Sequence, residues 1–234
     1  MGAGQTARER ARAELTSAIK DEARRQLATD GPSQLSLRAV ARALGMASSA
    51  IYRYFPSRDE LLTALIIDAY DALGAAVEAV EPDEPAAWWH AVCAATRAWA
   101  LANRHEYELI FGSPIPGYRA PVDTVAPAAR VPLTLVRVAE AADLADEDLP
   151  EALRAQLTQV LAGIGSTLPP GAMARLMTAW TQLFGMLSFE LFGQLVGSAD
   201  PADHFFAHAV DEMARFLGLH PAGNRPNVSH AIGS

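Results

Sequence analysis

Apolar residues recur at every third or fourth position along almost the whole chain, and over no useful length do they alternate with polar ones. Leu15, Ile19, Ala23 and Leu27 set the pattern, each four residues after the last, so that one side of a helix is buried. A half-buried strand needs alternation, so an all-α fold is expected. Composition agrees, because Ala, Leu and Arg dominate while Val, Ile and Thr are scattered. Pro and Gly cut the pattern into about nine helices.

The first predicted helix runs from about Ala7 to Thr29, and Asp30-Gly31-Pro32 ends it. A short helix follows over Leu37–Leu44 with Ser36 as its cap. Gly45 breaks the chain, and a second short helix is expected over Ala47–Tyr54. Ser57-Arg58-Asp59-Glu60 reads as a capping box opening a helix to about Val80. Further helices are expected over Pro85–Asn103, Glu106–Phe111, Val122–Ala142, Leu149–Leu161, Gly171–Val196 and Ala202–Leu217. Pro127 and Pro132 should kink the third of these or delay its start. The division expected is residues 8–65, residues 66–220 and a disordered Gly/Pro/Asn-rich tail over 221–234.

The segment from Ser36 to Phe55 carries the functional signal. Leu37, Val40 and Leu44 stripe its first helix, and Met46, Ile51 and Phe55 stripe the second, with Gly45 as the bend. Two short helices, each with one buried face, around a Gly-containing turn are a helix-turn-helix, whose second helix is presented to the DNA major groove. Ser48 and Ser49 are small and polar near that helix's start, where they can meet phosphates or base edges. Tyr52 and Tyr54 offer hydroxyls on stiff side chains, Arg53 and Arg58 offer charge, and Arg38 can reach a phosphate or a guanine. Ser36 joins them as a candidate DNA contact. Structural readings stand beside these: Tyr52 packed between the first and third helices, and Arg53 and Arg58 as solvated charges.

The net charge of −8 suits this reading once it is divided. Residues 1–62 hold 10 Lys/Arg and 7 Asp/Glu, a balance of +3, and the remaining 9 basic and 20 acidic groups give −11. A basic head on an acidic body docks on phosphate through the head alone.

The run Leu44-Gly45-Met46-Ala47-Ser48-Ser49-Ala50-Ile51-Tyr52-Arg53-Tyr54-Phe55-Pro56-Ser57-Arg58-Asp59-Glu60-Leu61-Leu62 resembles the signature of the tetracycline-repressor (TetR) family, and the resemblance extends over about residues 8–65. It implies an all-helical homodimer. In such a dimer three N-terminal helices bind DNA, a fourth links, and a C-terminal bundle holds a ligand pocket and the subunit interface. It aligns Arg38, Ser48, Ser49, Tyr52, Tyr54 and Arg58 with positions that touch DNA in the family. Ala50 stands where the family often has Thr, and Tyr54 where His is frequent. More weakly, His105–Gly112 with Pro114 and Pro116-Gly117-Tyr118, and then Trp180–Gly185 with Glu190, resemble the Trp-His-Gly subgroup, with Phe184 in place of the His.

In the larger part the aromatic residues Trp89, Trp99, Tyr107, Phe111, Trp180 and Phe184 are candidates for an apolar ligand pocket, the bland reading being ordinary core. Leu183, Leu187, Leu191 and Leu195 form one row, and Phe205, Phe206, Val210, Met213 and Phe216 a second surface. Two such helices from each subunit can build a four-helix interface, with Leu187, Leu191, Leu195, Phe206, Val210 and Met213 as its core. The alternative is that both rows pack within one subunit.

His204 and His208 have the spacing of a two-His metal site but no third ligand is evident, so neither metal nor cofactor is expected. Cys93 among Ala and Val reads as a buried small hydrophobe, and a lone cysteine cannot form an internal disulfide. No phosphate loop, nucleophile elbow, metal triad or paired catalytic carboxylate is present, which argues against a helical-bundle enzyme. No apolar run reaches the roughly 18 residues of a membrane span, and Met1–Arg12 has no apolar signal region, so a cytoplasmic protein is expected. The expected function is a ligand-responsive regulator, most simply a repressor. It would bind a palindromic operator as a homodimer and be released by a small apolar effector, with an activator as the alternative.

Overall fold

A computed structural model describes residues 3–219, so the expected disordered tail lies outside the described residues. Among those residues the chain is helical with no strand. It divides into two compact units, each discontinuous in sequence: the residues up to Ala72 with Ala102–Ala128, and Leu73–Leu101 with the chain from Ala129 onward. The sequence reading placed the division between the two folded parts after residue 65. The structure instead returns the segment after Leu101 to the first unit.

In the first unit, α1 (Ala3–Asp30) is followed by a 3-10 turn at Pro32–Gln34 and by α2 (Leu37–Ala43). The Ser36 hydroxyl oxygen accepts from the Ala39 N–H at 3.4 Å, the expected cap. α2 ends when the Met46 N–H donates to the Ala41 carbonyl (2.8 Å) and the Gly45 N–H to the Arg42 carbonyl (3.1 Å). That double closure needs a left-handed residue, and Gly45 takes it at φ 66°. Nothing lies within 4 Å of a Cβ added there, so backbone conformation, not space, calls for glycine.

The second short helix of the helix-turn-helix is not an α-helix here. Residues 48–50 form a turn and Ile51–Arg53 a 3-10 helix, through the bonds Ala50 N–H to Ala47 O, Arg53 N–H to Ala50 O and Tyr54 N–H to Ile51 O. These i to i−3 bonds tighten the segment, and Pro56, three residues after Arg53, stops any lengthening. α3 (Arg58–Glu78) then starts where the Glu60 N–H donates to the Ser57 hydroxyl at 3.1 Å, as the capping box predicts. Ile19, Ala23, Val40, Ala41, Ile51, Leu61 and Leu62 form the solvent-free centre of this unit's core.

The second unit holds α4 (Pro85–Ala102, to Leu101), α6 (Val125–Ala141, from Ala129), α7 (Glu151–Ile164), α8 (Pro170–Leu191) and α9 (Asp203–Leu217). Pro132 sits inside α6, and a 3-10 turn at Val122–Thr124 delays its start, as the prolines suggest. α8 packs against α7 and α9, around a core that includes Trp89, Cys93, Leu135, Leu183, Leu187 and Leu217. Burial raises the Cys93 thiol far above its ordinary pKa, so it stays a neutral hydrophobe. α8 is shorter than the expected Gly171–Val196, since Phe192 caps it and turns follow. Leu195 is therefore not on the helix that carries Leu183, Leu187 and Leu191.

Candidate nucleic-acid interface

The reading segment hangs from Ile51, which is fully buried, while its neighbours face outward. Arg38 on α2 and Ser48, Ser49 and Arg53 are exposed, and Tyr52 is 42% exposed. Tyr52 thus does not pack between helices. Tyr54 is the tyrosine that turns inward: it is half-buried against the core, beneath the Arg12 guanidinium at 5.6 Å. Arg12 also donates to the Arg53 carbonyl oxygen at 3.4 Å. Sequence reasoning missed Arg12, because the pairing spans 41 residues and no local pattern signals it.

Arg58 departs from its expected role. It is half-buried, and its guanidinium donates to the carbonyl oxygens of Pro32 (2.7 Å) and Leu35 (3.2 Å). It braces the turn between α1 and α2 rather than offering free charge to a phosphate. The Ser36 oxygen accepts the cap bond, which leaves its O–H able to donate to another group.

A charge network supports the head from behind. The Asp68 carboxylate on α3 accepts from Lys20 and Arg24 of α1, both at 2.8 Å, and Arg24 also reaches Asp21 (2.8 Å) and Glu106 (2.9 Å). Glu106 lies on α5 (Arg104–Phe111), so one arginine ties three helices together. Tyr107 and Phe111, expected to line a ligand pocket, belong to this unit. Their rings are 5.0 Å apart, and Phe111 meets Tyr70 of α3 edge-on at 6.0 Å. Tyr118, on the loop after α5, bonds Thr63 of α3 at 2.9 Å. Burial raises the Tyr70 hydroxyl pKa, and Tyr118 adds to the shift.

The other expected pocket residues lie in the second unit, mostly as core. Trp89 is fully buried, and its indole N–H donates to the Val210 carbonyl at 3.2 Å; Trp99 is also buried. Phe184 meets Trp180 edge-on at 6.3 Å. An apolar cavity of about 260 Å³ opens among α6, α7 and α8. Leu133, Val136, Val160, Ile164, Met177 and Trp180 are among its walls, and apart from the Trp180 indole no polar side chain lines it. Trp180 alone connects it with the expected set. The signal for the rest was available: Leu153, Leu157, Val160, Leu161 and Ile164 make a wider apolar stripe on α7 than one buried face needs, and Leu153, Val160 and Ile164 stay exposed.

The expected subunit contacts Leu187, Leu191, Phe206, Val210 and Met213 are buried within the one chain, and Leu195 is half-buried in the turn after α8. Most of the two rows is thus internal packing, while Phe205 and Phe216 of the second row stay exposed, together with Phe189, Phe192 and Val196. Arg97 of α4 forms a two-toothed bond to Glu190 of α8 (2.6 and 2.9 Å) and reaches Asp203 at the start of α9 (3.0 Å). His204 and His208 are exposed, and among the described residues no three His, Cys, Asp or Glu side chains come together as metal ligands. No helix among the described residues is long and apolar enough to cross a membrane.

The chain matches two family descriptions: "Bacterial regulatory proteins, tetR family" over residues 19–65, and "Tetracyclin repressor-like, C-terminal domain" over residues 89–213. It is 37% identical over 195 residues to the HTH-type transcriptional regulator Rv1816 of Mycobacterium tuberculosis, covering 79% of this chain and 83% of that one. Among solved structures, regulatory protein SCO4313 resembles it with a TM-score of 0.76 at 37% identity, over 88% of this chain and 97% of that one. A Rhodococcus sp. RHA1 protein of unknown function gives 0.64 at 25% identity, over 88% and 96%. The first family match contains the whole segment from Ser36 to Phe55.

Proposed function

The chain belongs to the TetR family of bacterial regulatory proteins, DNA-binding transcription regulators of helix-turn-helix type, and on that premise we propose that it is a ligand-responsive repressor acting as a homodimer. The observation that carries the DNA reading is the run Ser48, Ser49, Tyr52 and Arg53, exposed around the buried anchor Ile51, with Arg38 exposed on the preceding helix. These side chains have the chemistry of phosphate and base-edge contacts, and the turn and 3-10 segment that carry four of them are anchored to the core by Ile51.

One head reads too few base pairs to select a site in a genome, so two heads on an inverted repeat are expected. Phe189, Phe192, Phe205 and Phe216 supply apolar contact for the second subunit, in place of the buried rows. The effector site is the α6–α8 cavity. Its volume and apolar walls suit a small hydrocarbon-rich molecule without charge. The effector must bind better to a conformation poor at binding DNA, otherwise it shifts nothing.

Selection of duplexes by this protein from a random-sequence pool tests the reading. Enrichment of an inverted repeat is expected, and enrichment of no sequence would contradict it. N-phenyl-1-naphthylamine, an uncharged fluorophore, should brighten on binding, and Met177→Trp, which fills the cavity, should abolish that signal. Fluorescence retained by the Trp variant would place the effector elsewhere. An activator shares every one of these features. Transcription from a promoter carrying the enriched repeat separates the two, falling for a repressor and rising for an activator when the protein is supplied.

A further inference from the structure

The core-facing stripe of α1 does not stop where the core stops. Followed towards the N-terminus at intervals of three or four residues, it runs Leu27, Ala23, Ile19, Leu15, Arg12, Arg8. The first three are buried, Leu15 is half-buried, and Arg12 and Arg8 are exposed. The side of α1 that packs on the three-helix core therefore presents guanidinium groups once it has passed the core's edge.

That edge borders the reading segment. Arg12 bonds the Arg53 carbonyl oxygen at 3.4 Å and lies over the Tyr54 ring. Arg8 sits one turn further out on the same side, about 6 Å along the axis. Among the described residues no carboxylate pairs with Arg8. Its sequence neighbour Glu9 projects about 100° away around the helix. An unpaired arginine beside a segment that enters the major groove has the duplex backbone as its natural partner, since phosphate lines both sides of the groove and a guanidinium binds it with two parallel hydrogen bonds.

We propose that the first turns of α1 form a second DNA contact. In it Arg8 takes a backbone phosphate flanking the groove read by Ser48–Arg53, and Arg12 positions the reading segment while adding charge. This rests on the DNA-binding reading above and extends the interface beyond the helix-turn-helix. Arg10, about 200° round the helix from Arg8, takes no part.

The test uses the full-length protein and the duplex that it enriches from a random-sequence pool, with affinity measured by fluorescence anisotropy from low to moderate salt. Arg8→Ala is expected to weaken binding several-fold at low salt and to lower the slope of log affinity against log salt by about 0.9 for each head, the value of one phosphate contact. Arg8→Lys should keep the slope, and Arg10→Ala should match the wild type. A wild-type slope in Arg8→Ala, with wild-type binding intact, overturns the arm and leaves the DNA-binding reading standing. So does an equal loss in Arg10→Ala, because it would reduce the effect to general charge. Failure of the wild type to enrich any duplex overturns the underlying reading and the arm with it.

Discussion

Arg58 shows how one side chain can be misassigned from its type and position alone. An arginine just after a recognition segment suggests phosphate contact, yet its guanidinium is used by the carbonyl oxygens of Pro32 and Leu35. Those carbonyls close the turn between α1 and α2, and water does not replace both bonds at a half-buried site without loss. Arg58→Ala is therefore expected to destabilise the protein by about 1–3 kcal/mol, as a lower denaturation midpoint. Gly45 makes a second residue-scale prediction. Its φ of 66° costs a side-chain-bearing residue about 1–2 kcal/mol, so Gly45→Ala should lower stability by that amount although the space around it is open. A fall of less than about 0.5 kcal/mol in chemical denaturation would show that the turn tolerates another conformation.

Among the helices, ion pairs supplement the apolar packing that holds one to another. Asp68 receives Lys20 and Arg24, and Arg24 carries on to Glu106, so α1, α3 and α5 share one network. The groups are about one-third exposed or less, which reduces the worth of each pair. Asp68→Ala should cost about 1–2 kcal/mol, and a double-mutant cycle with Arg24→Ala should show coupling, because the two share partners. The Arg97 guanidinium lowers the Asp203 carboxyl pKa, and Arg130 does the same for Glu78, first through their hydrogen bonds. A lowered folded pKa adds stability that is complete above the unfolded carboxylate range and is lost as pH falls through the folded values. Acid should therefore destabilise the protein as pH enters the ordinary carboxylate range, and Arg97→Met should flatten that dependence. An unaltered stability–pH curve in Arg97→Met would show that the pair does not matter to folding.

Most helices were legible at this scale because their limits are written in single residues. The Ser36 and Ser57 caps, the Gly31, Gly45 and Gly218 exits and the prolines at the starts of α4 and α8 all act locally. The reading segment was legible as a place but not as a helix type, since a few residues held between Gly45 and Pro56 can take 3-10 or α form and tertiary contacts decide. The end of α8 was missed because Phe192–Val196 continues the apolar pattern while glycines at 193 and 197 take left-handed turns. Periodicity reports which side of a helix is apolar but not what covers it. Most of the rows assigned to a second subunit lie for that reason inside one, and of the aromatic residues assigned to a pocket only Trp180 lines the cavity.

For the molecule as a whole, the mildly basic head and the acidic remainder favour the proposed DNA contact at the head. The aromatic groups left exposed on and beside α8 and α9 are the proposed subunit contact. Phe205→Glu with Phe216→Glu should convert a dimer to a monomer in light scattering while helical content is kept, and a dimer that survives both would move the interface elsewhere. The most direct check on the DNA-reading head is the affinity of wild type, Arg38→Ala and Tyr52→Ala for the enriched duplex and for a scrambled one of equal length. Both side chains concerned are exposed, so thermal stability should not change. Preference for the enriched duplex by roughly a thousandfold or more is expected of the wild type. Each variant should bind the enriched duplex about tenfold more weakly, as one lost base or backbone contact implies. Equal affinity of wild type and both variants for the enriched duplex would contradict the head assigned here.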